Sequence, residues 1–224
     1  MKSEARFAFF DVDDTLIQIK SMFDFYRFWC LEIMEQPRMH LEFETDFSRM
    51  LSEGYKRESL NYAYYRYFNG IDPESLYRAG AAWAKKHLIH PEYFFFTPVV
   101  KELMRLQKKG ITPVLISGSF HAVLEPIARE LNVPHVLATE LEIGEDGLYT
   151  GNIIHPQTIG QGKALAVQAF LNNHFVSPRR CYAFGDDLSD LPLLRAVGYP
   201  VTVGNGTALT EYAVGANWPV IKTS

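Results

Sequence analysis

Residues 6–16 read Arg6-Phe7-Ala8-Phe9-Phe10-Asp11-Val12-Asp13-Asp14-Thr15-Leu16. One charge opens the run, apolar residues fill it and carboxylates close it. A short apolar stretch bounded in this way reads as a buried strand. Three carboxylates at its mouth repel one another and are costly to desolvate. A bound cation removes that difficulty, and hard oxygen donors suit Mg2+. The two-residue period of a strand also sends Asp11 and Asp13 to the same side of the chain. The alternative, acids that only cap a following turn, accounts for Asp14-Thr15 but not for Asp11.

Outward from that stretch, Ile111–Ile116, Val133–Leu137 and Cys181–Phe184 read as further strands, with Tyr199–Val203 as a weaker fifth. Pro113 has to sit near the start of its strand or at a sheet edge, because it has no N–H to donate. Helical patterns at Val99–Lys109, Phe120–Leu131 and Lys163–Asn172 separate the strands. Apolar strands alternating with helices imply an α/β fold built on a parallel sheet covered on both faces. In such sheets ligands sit outside the carboxyl ends of the strands. Near residues 138–155, two extended runs flank Gly144-Glu145-Asp146-Gly147, a hairpin signal.

From Thr15 to about Thr97 there is only helical periodicity. Met22, Phe25, Tyr26, Trp29 and Ile33 fall on one helix face. Leu41–Leu51, Arg57–Phe68 and Pro73–His87 read as further helices, the last with Asp72 as N-cap and Pro73 at its first position. The expected division is residues 1–15 and 97–224 as core, with 16–96 as an inserted helical cap. Most of the cap's aromatics are assigned to its own core. Tyr62, Tyr64, Tyr65 and Tyr67 are the ones considered for a substrate pocket.

Three other segments carry chemistry. Ser117-Gly118-Ser119 ends a strand before a helix, so its N–H groups and the Ser117 hydroxyl can converge on an anion; Ser119 as an ordinary N-cap fits equally well. Gly160-Gln161-Gly162-Lys163 opens a helix with a cation in its first turn, against the helix dipole. An anionic partner or simple solvation would each explain Lys163. The glycine spacing is not that of a P-loop. Gly185-Asp186-Asp187-Leu188-Ser189-Asp190 follows a strand, and Asp186 is best placed to reach a metal beside Asp11.

Composition bounds the rest. With 224 residues, 47% hydrophobic and 21% charged, the chain can bury a core as one domain carrying an insertion. A net charge of −4 with no basic block argues against a nucleic-acid partner. No apolar run approaches the ~18 residues of a membrane span, and Met1–Glu4 leads into no signal peptide, so no membrane association and a cytoplasmic location are expected. Cys30 and Cys181 are too isolated to suggest a metal or redox motif and read as free, buried thiols.

With these residues assembled, the chain resembles the haloacid dehalogenase superfamily phosphatases, in the phosphoserine-phosphatase-like branch (subfamily IB), from about Arg6 to Val203. The resemblance rests on Asp11-Val12-Asp13-Asp14-Thr15-Leu16, Ser117-Gly118, Lys163 and Gly185-Asp186-Asp187-Leu188-Ser189-Asp190, in that order. It implies a Rossmann-like core with a central first strand and a C1-type helical cap. It also implies Mg2+-dependent hydrolysis of a small phosphorylated metabolite through an aspartyl-phosphate. Asp11 would be the nucleophile and Asp13 the general acid and base. Asp11, the Asp13 carbonyl and Asp186 would hold the metal, and Ser117, Gly118 and Lys163 the phosphate. Asp190 and Asp187 would orient metal-bound water or Lys163. Phosphoserine phosphatases place a glutamate nine residues after the nucleophile to hold an ammonium group; here that residue is Lys20. Phosphoserine is therefore disfavoured, and Lys20 and Ser119 become substrate-side candidates. Ser189 stands where an asparagine is frequent. Oligomeric state is not legible.

Three alternatives carry less weight. A phosphotransferase or mutase would share these motifs and differ in acceptor. A phospho-acceptor signalling domain would need its aspartate where Ser117-Gly118-Ser119 stands. A non-catalytic binding module would leave all four chemical positions without a purpose.

Overall fold

The apolar run after Arg6 forms β1 (Phe7–Asp11), in which every residue is buried. The structure is a computed structural model describing residues 6–223. Met1–Glu4, the first five residues of the expected core segment and its last residue lie outside that range. Strand alternation divides β1 between two cores. Ala8 and Phe10 face one, which also holds the helical segment, while Phe7 and Phe9 face the other. A strand apolar on both faces belongs in the middle of a covered sheet.

Six strands form that sheet: β1, β2 (Thr112–Ile116), β3 (His135–Leu137), β6 (Tyr182–Gly185), β7 (Tyr199–Val203) and β8 (Val220–Ile221). All pairs are parallel, in the order β3-β2-β1-β6-β7-β8. Strand β2 is interior, so the missing N–H of Pro113 is accommodated by its place near the strand's start, as the second residue. Phe10 and Phe184, register partners on β1 and β6, stack with centroids 4.2 Å apart. The short β8 carries no signal in the sequence.

Between β1 and β2 come α1 (Ser21–Phe28), α2 (Pro37–Ser52), α3 (Arg57–Tyr65), α4 (Pro73–His87), α5 (Pro91–Phe94) and α6 (Thr97–Lys108). A π-helical turn, Trp29–Ile33, extends α1. Asp72 caps α4 by accepting the Ser75 N–H. Where the chain leaves and rejoins the sheet it pairs with itself: Gln18 N–H donates to Phe94 O and Phe96 N–H to Leu16 O.

After β2, α7 (His121–Glu130) leads to β3. The hairpin strands β4 (Glu140–Ile143) and β5 (Tyr149–Ile154) pair antiparallel apart from the main sheet. The hairpin reaches the helical segment through Gly70 N–H to Tyr149 O and Tyr149 N–H to Ile71 O. Then follow α8 (Gln161–Asn173), α9 (Leu191–Arg195) and α10 (Ala208–Gly215). Cys30 and Cys181 are free and buried. No helix among the described residues is long and apolar enough to cross a membrane.

Helix α4 lies against α7 with almost no gap. A Cβ built on Gly80 would stand 1.9 Å from the Ala122 carbonyl oxygen, a backbone atom that cannot rotate away. Gly80→Ala is therefore expected to separate the two helices and cost about 2 kcal/mol or more, lowering Tm by several degrees. An unchanged melting temperature would contradict that packing.

Candidate active site

Strand order reverses at β1: the chain runs to β2 and β3 on one side and later to β6 on the other. The crevice at such a reversal is where an open parallel sheet binds ligands. Here Asp11 ends β1, Ser117 follows β2 and Asp186 follows β6. Immediately after β1, Val12 O accepts the N–H groups of Thr15 (3.3 Å), Leu16 (2.8 Å) and Ile17 (3.0 Å). That tight turn puts Asp14 at φ 58°, a conformation aspartate tolerates better than most residues.

Lys163, the third residue of α8, is buried, so solvation does not explain it. Its Nζ lies 2.5 Å from Asp11 Oδ1 and 2.7 Å from Asp190 Oδ1. Burial opposes its charge, but the charges of Asp11 and Asp190 outweigh this and raise its pKa. The other oxygen of Asp190 accepts the N–H groups of Asp186 (3.2 Å) and Asp187 (3.4 Å). Gly185 makes room for that carboxylate, since a Cβ there would come within 2.7 Å of Asp190 Oδ2.

Asp11, Asp186 and Asp190 bring carboxylate oxygens within 4.8 Å of one another. One lysine cannot balance three acids. The Thr15 hydroxyl lies 3.2 Å from Asp11 Oδ2 and 2.9 Å from Asp186 Oδ1, yet it has a single hydrogen to give. Burial, reinforced by the charges of Asp11 and Asp190, pushes the Asp186 carboxyl up to about 8. Burial likewise pushes Asp13 up to about 6, against the opposing pull of Ser21 and with a contribution from Asp11. Asp13 Oδ1 is buried with no hydrogen-bond partner among the described residues. These all-oxygen, under-neutralised donors fit a hard divalent cation. Asp190 commits both oxygens to protein groups, which leaves Asp11 and Asp186 with the better claim to be ligands, and Asp13 beside them.

The turn after β2 is fastened from the helical side. Gly118 O accepts Tyr65 OH (2.6 Å) and Asn61 Nδ2 (2.9 Å), both from α3. Ser117 Oγ accepts the Ser119 N–H at 3.0 Å. The N-cap alternative for Ser119 fails: Phe120 occupies that position, and Ser119 Oγ is buried without a partner among the described residues.

These residues floor a cavity of about 320 Å3 roofed by α1, α2 and α3. Two cations stand at its sides. Lys20 pairs with Asp14 at 2.6 Å. Arg57 pairs with Asp187 at 3.0 Å and donates to Ser189 Oγ at 3.2 Å. Asp187 is thus engaged with Arg57 and the Ser189 N–H, while Lys163 takes Asp190. Of the four tyrosines considered, only Tyr64 lines the cavity. Tyr62 stacks on His155, Tyr65 holds Gly118 and Tyr67 donates to Asp46. His121 pairs with Glu125 and His87 with Asp24. Sequence reasoning assigned no role to Arg57 or Asn61, and considered Tyr65 for the substrate pocket rather than for fastening Gly118 O. The one available signal was a surplus of acid at 186–190 that Lys163 alone cannot match.

The chain is similar to several known proteins. A probable phosphatase of Mycobacterium tuberculosis is 37% identical over 115 residues, 51% of this chain and 39% of that protein. The chain thus spans about two fifths of that relative's length. A histidinol-phosphatase of Neisseria meningitidis is 27% identical over 96% of this chain and 97% of its own. A Bordetella pertussis protein of unknown function superposes with a TM-score of 0.84 at 25% identity, covering 99% of this chain and 100% of that one. The haloacid dehalogenase-like hydrolase family model matches residues 8–195. With its acids, serine turn and buried lysine inside that span, the chain belongs to the haloacid dehalogenase-like hydrolase family.

Proposed function

We propose that this chain is a Mg2+-dependent hydrolase of small phosphomonoesters that works through an aspartyl-phosphate on Asp11. The observation that carries this reading is the Lys163 amine bridging Asp11 and Asp190 on the cavity floor, beside an Asp186 that makes no ion pair with any of the described residues. A lysine there holds the nucleophilic carboxylate in place and offers charge to a phosphoryl oxygen. When bound, a divalent ion held by Asp11, Asp186 and the Asp13 carbonyl would offset the charge that incoming phosphate adds to the carboxylates. The helical segment 16–96 serves as a cap that keeps bulk water from the floor.

In the first step an Asp11 carboxylate oxygen forms a bond to phosphorus while the ester P–O bond breaks. The electron pair leaves on the alcohol oxygen, which takes a proton from the Asp13 carboxyl. In the second step water attacks the same phosphorus and gives its proton to the Asp13 carboxylate. Inorganic phosphate leaves and the Asp11 carboxylate is restored. A carboxyl pushed up to about 6 is suited to both halves of that exchange. Ser117 Oγ and N–H groups around Gly118 hold the transferring oxygens. Asp187 and Asp190 support the site indirectly, Asp190 through Lys163 and Asp187 through Arg57. Histidinol phosphate belongs in the first substrate panel because of the full-length resemblance to the Neisseria enzyme. Lys20 disfavours phosphoserine.

Asp11→Asn is expected to lower phosphate release from an aryl phosphate by about three orders of magnitude or more, and EDTA to abolish it in the parent protein. Turnover by Asp11→Asn near the parent rate would exclude Asp11 as nucleophile. Independently of activity, Mg2+ at about 100 times its dissociation constant should stabilise the parent by roughly 2.7 kcal/mol. Asp186→Asn should remove that gain and, by relieving repulsion, melt higher than the parent in EDTA. An undiminished Mg2+ response in Asp186→Asn would place the ion elsewhere.

A further inference from the structure

The roof of the cavity differs in kind from its floor. Three helices each turn two large apolar side chains to it, Met22 and Phe23 from α1, Phe47 and Leu51 from α2, Leu60 and Tyr64 from α3. Phe47 and Tyr64 are buried, as core residues should be. Phe23, however, is 41% exposed and Leu51 60% exposed. Single exposed apolar residues mean little, but two on different helices that line one cavity above the acids form an apolar wall partly open to solvent. The two charged residues that the roof contributes are already engaged: Lys20 with Asp14, and Arg57 with Asp187 and Ser189. The Asn61 amide gives its nitrogen to Gly118 O, and because that carbonyl can only accept, the amide orientation is fixed, which leaves one polar atom of the roof, Asn61 Oδ1, without a partner among the described residues.

Resting on the phosphatase reading above, we infer that the alcohol half of the substrate carries a compact apolar or aromatic group, recognised by the Phe23–Leu51 wall rather than by ion pairing. At about 320 Å3 the cavity stands at the low end of the range for ligand pockets. It suits a phosphate with a ring-sized substituent a few bonds away. Small polyol esters would leave the wall wet.

The test compares two esters of one chain length, 2-phenylethyl phosphate and 2-hydroxyethyl phosphate, with Mg2+ and the full chain. The parent should favour the phenyl ester in kcat/KM by about tenfold or more. Leu51→Ala and Phe23→Ala, each first checked for a cooperative melting transition, should each cut that ratio about threefold or more, through a higher KM for the phenyl ester. Hydrolysis of both esters with equal efficiency, or a ratio unchanged in both variants, overturns this inference and leaves the phosphatase reading standing. Hydrolysis of neither ester overturns both.

Discussion

Everything at this site depends on one buried amine. Lys163 Nζ touches Asp11 on one side and Asp190 on the other, and among the described residues neither acid has another cation in contact. Without the lysine, two carboxylates would lie buried together at a cost of several kcal/mol. With it, Asp11 is fixed in a single orientation at the end of β1. Asp190 in turn ties the amine to the N–H groups of Asp186 and Asp187, so the position of α8 is passed to the loop after β6. Gly185 allows the contact by having no side chain. The lysine balances only part of the local charge, and the remainder at Asp186 makes room for a divalent cation.

The sheet explains why these groups can meet. Parallel strands β2, β1 and β6 end side by side, so residues 117, 11 and 186, far apart in the chain, sit at one edge. Hydrophobic packing on both faces of β1 holds that edge still. The helical segment is fastened to the floor at particular points. Asn61 and Tyr65 bind the carbonyl of Gly118, and Arg57 binds Asp187 and Ser189. The cavity is thus built from two parts of the chain, polar strand ends below and an apolar helical roof above.

The strands and long helices were legible because their signal is local. β1 ends at Asp11 as its apolar run implied, α4 matches its expected span from Pro73 to His87, and the hairpin forms around Gly144–Gly147. The acids and the lysine that the fold gathers beside the strand ends were legible for a related reason, since an unpaired acid or lysine beside an apolar strand is conspicuous in one dimension. What stayed hidden was pairing at a distance. Nothing around Arg57 reveals that it meets Asp187, 130 residues away, or that Tyr65 rather than Tyr62 reaches the serine turn. Four tyrosines of similar local context have four different surroundings, and only packing distinguishes them. The weak β8 was missed because two residues carry no periodicity.

The central claim, that the carboxylate held by Lys163 becomes phosphorylated, is tested most directly by rapid acid quench of the protein turning over an aryl phosphate with Mg2+, followed by peptide mapping by mass spectrometry. The account predicts one added phosphoryl group on the peptide carrying Asp11, absent from Asp11→Asn and lost on hydroxylamine treatment. Full turnover with no phosphoryl group on that peptide, or one found on another residue, would contradict it.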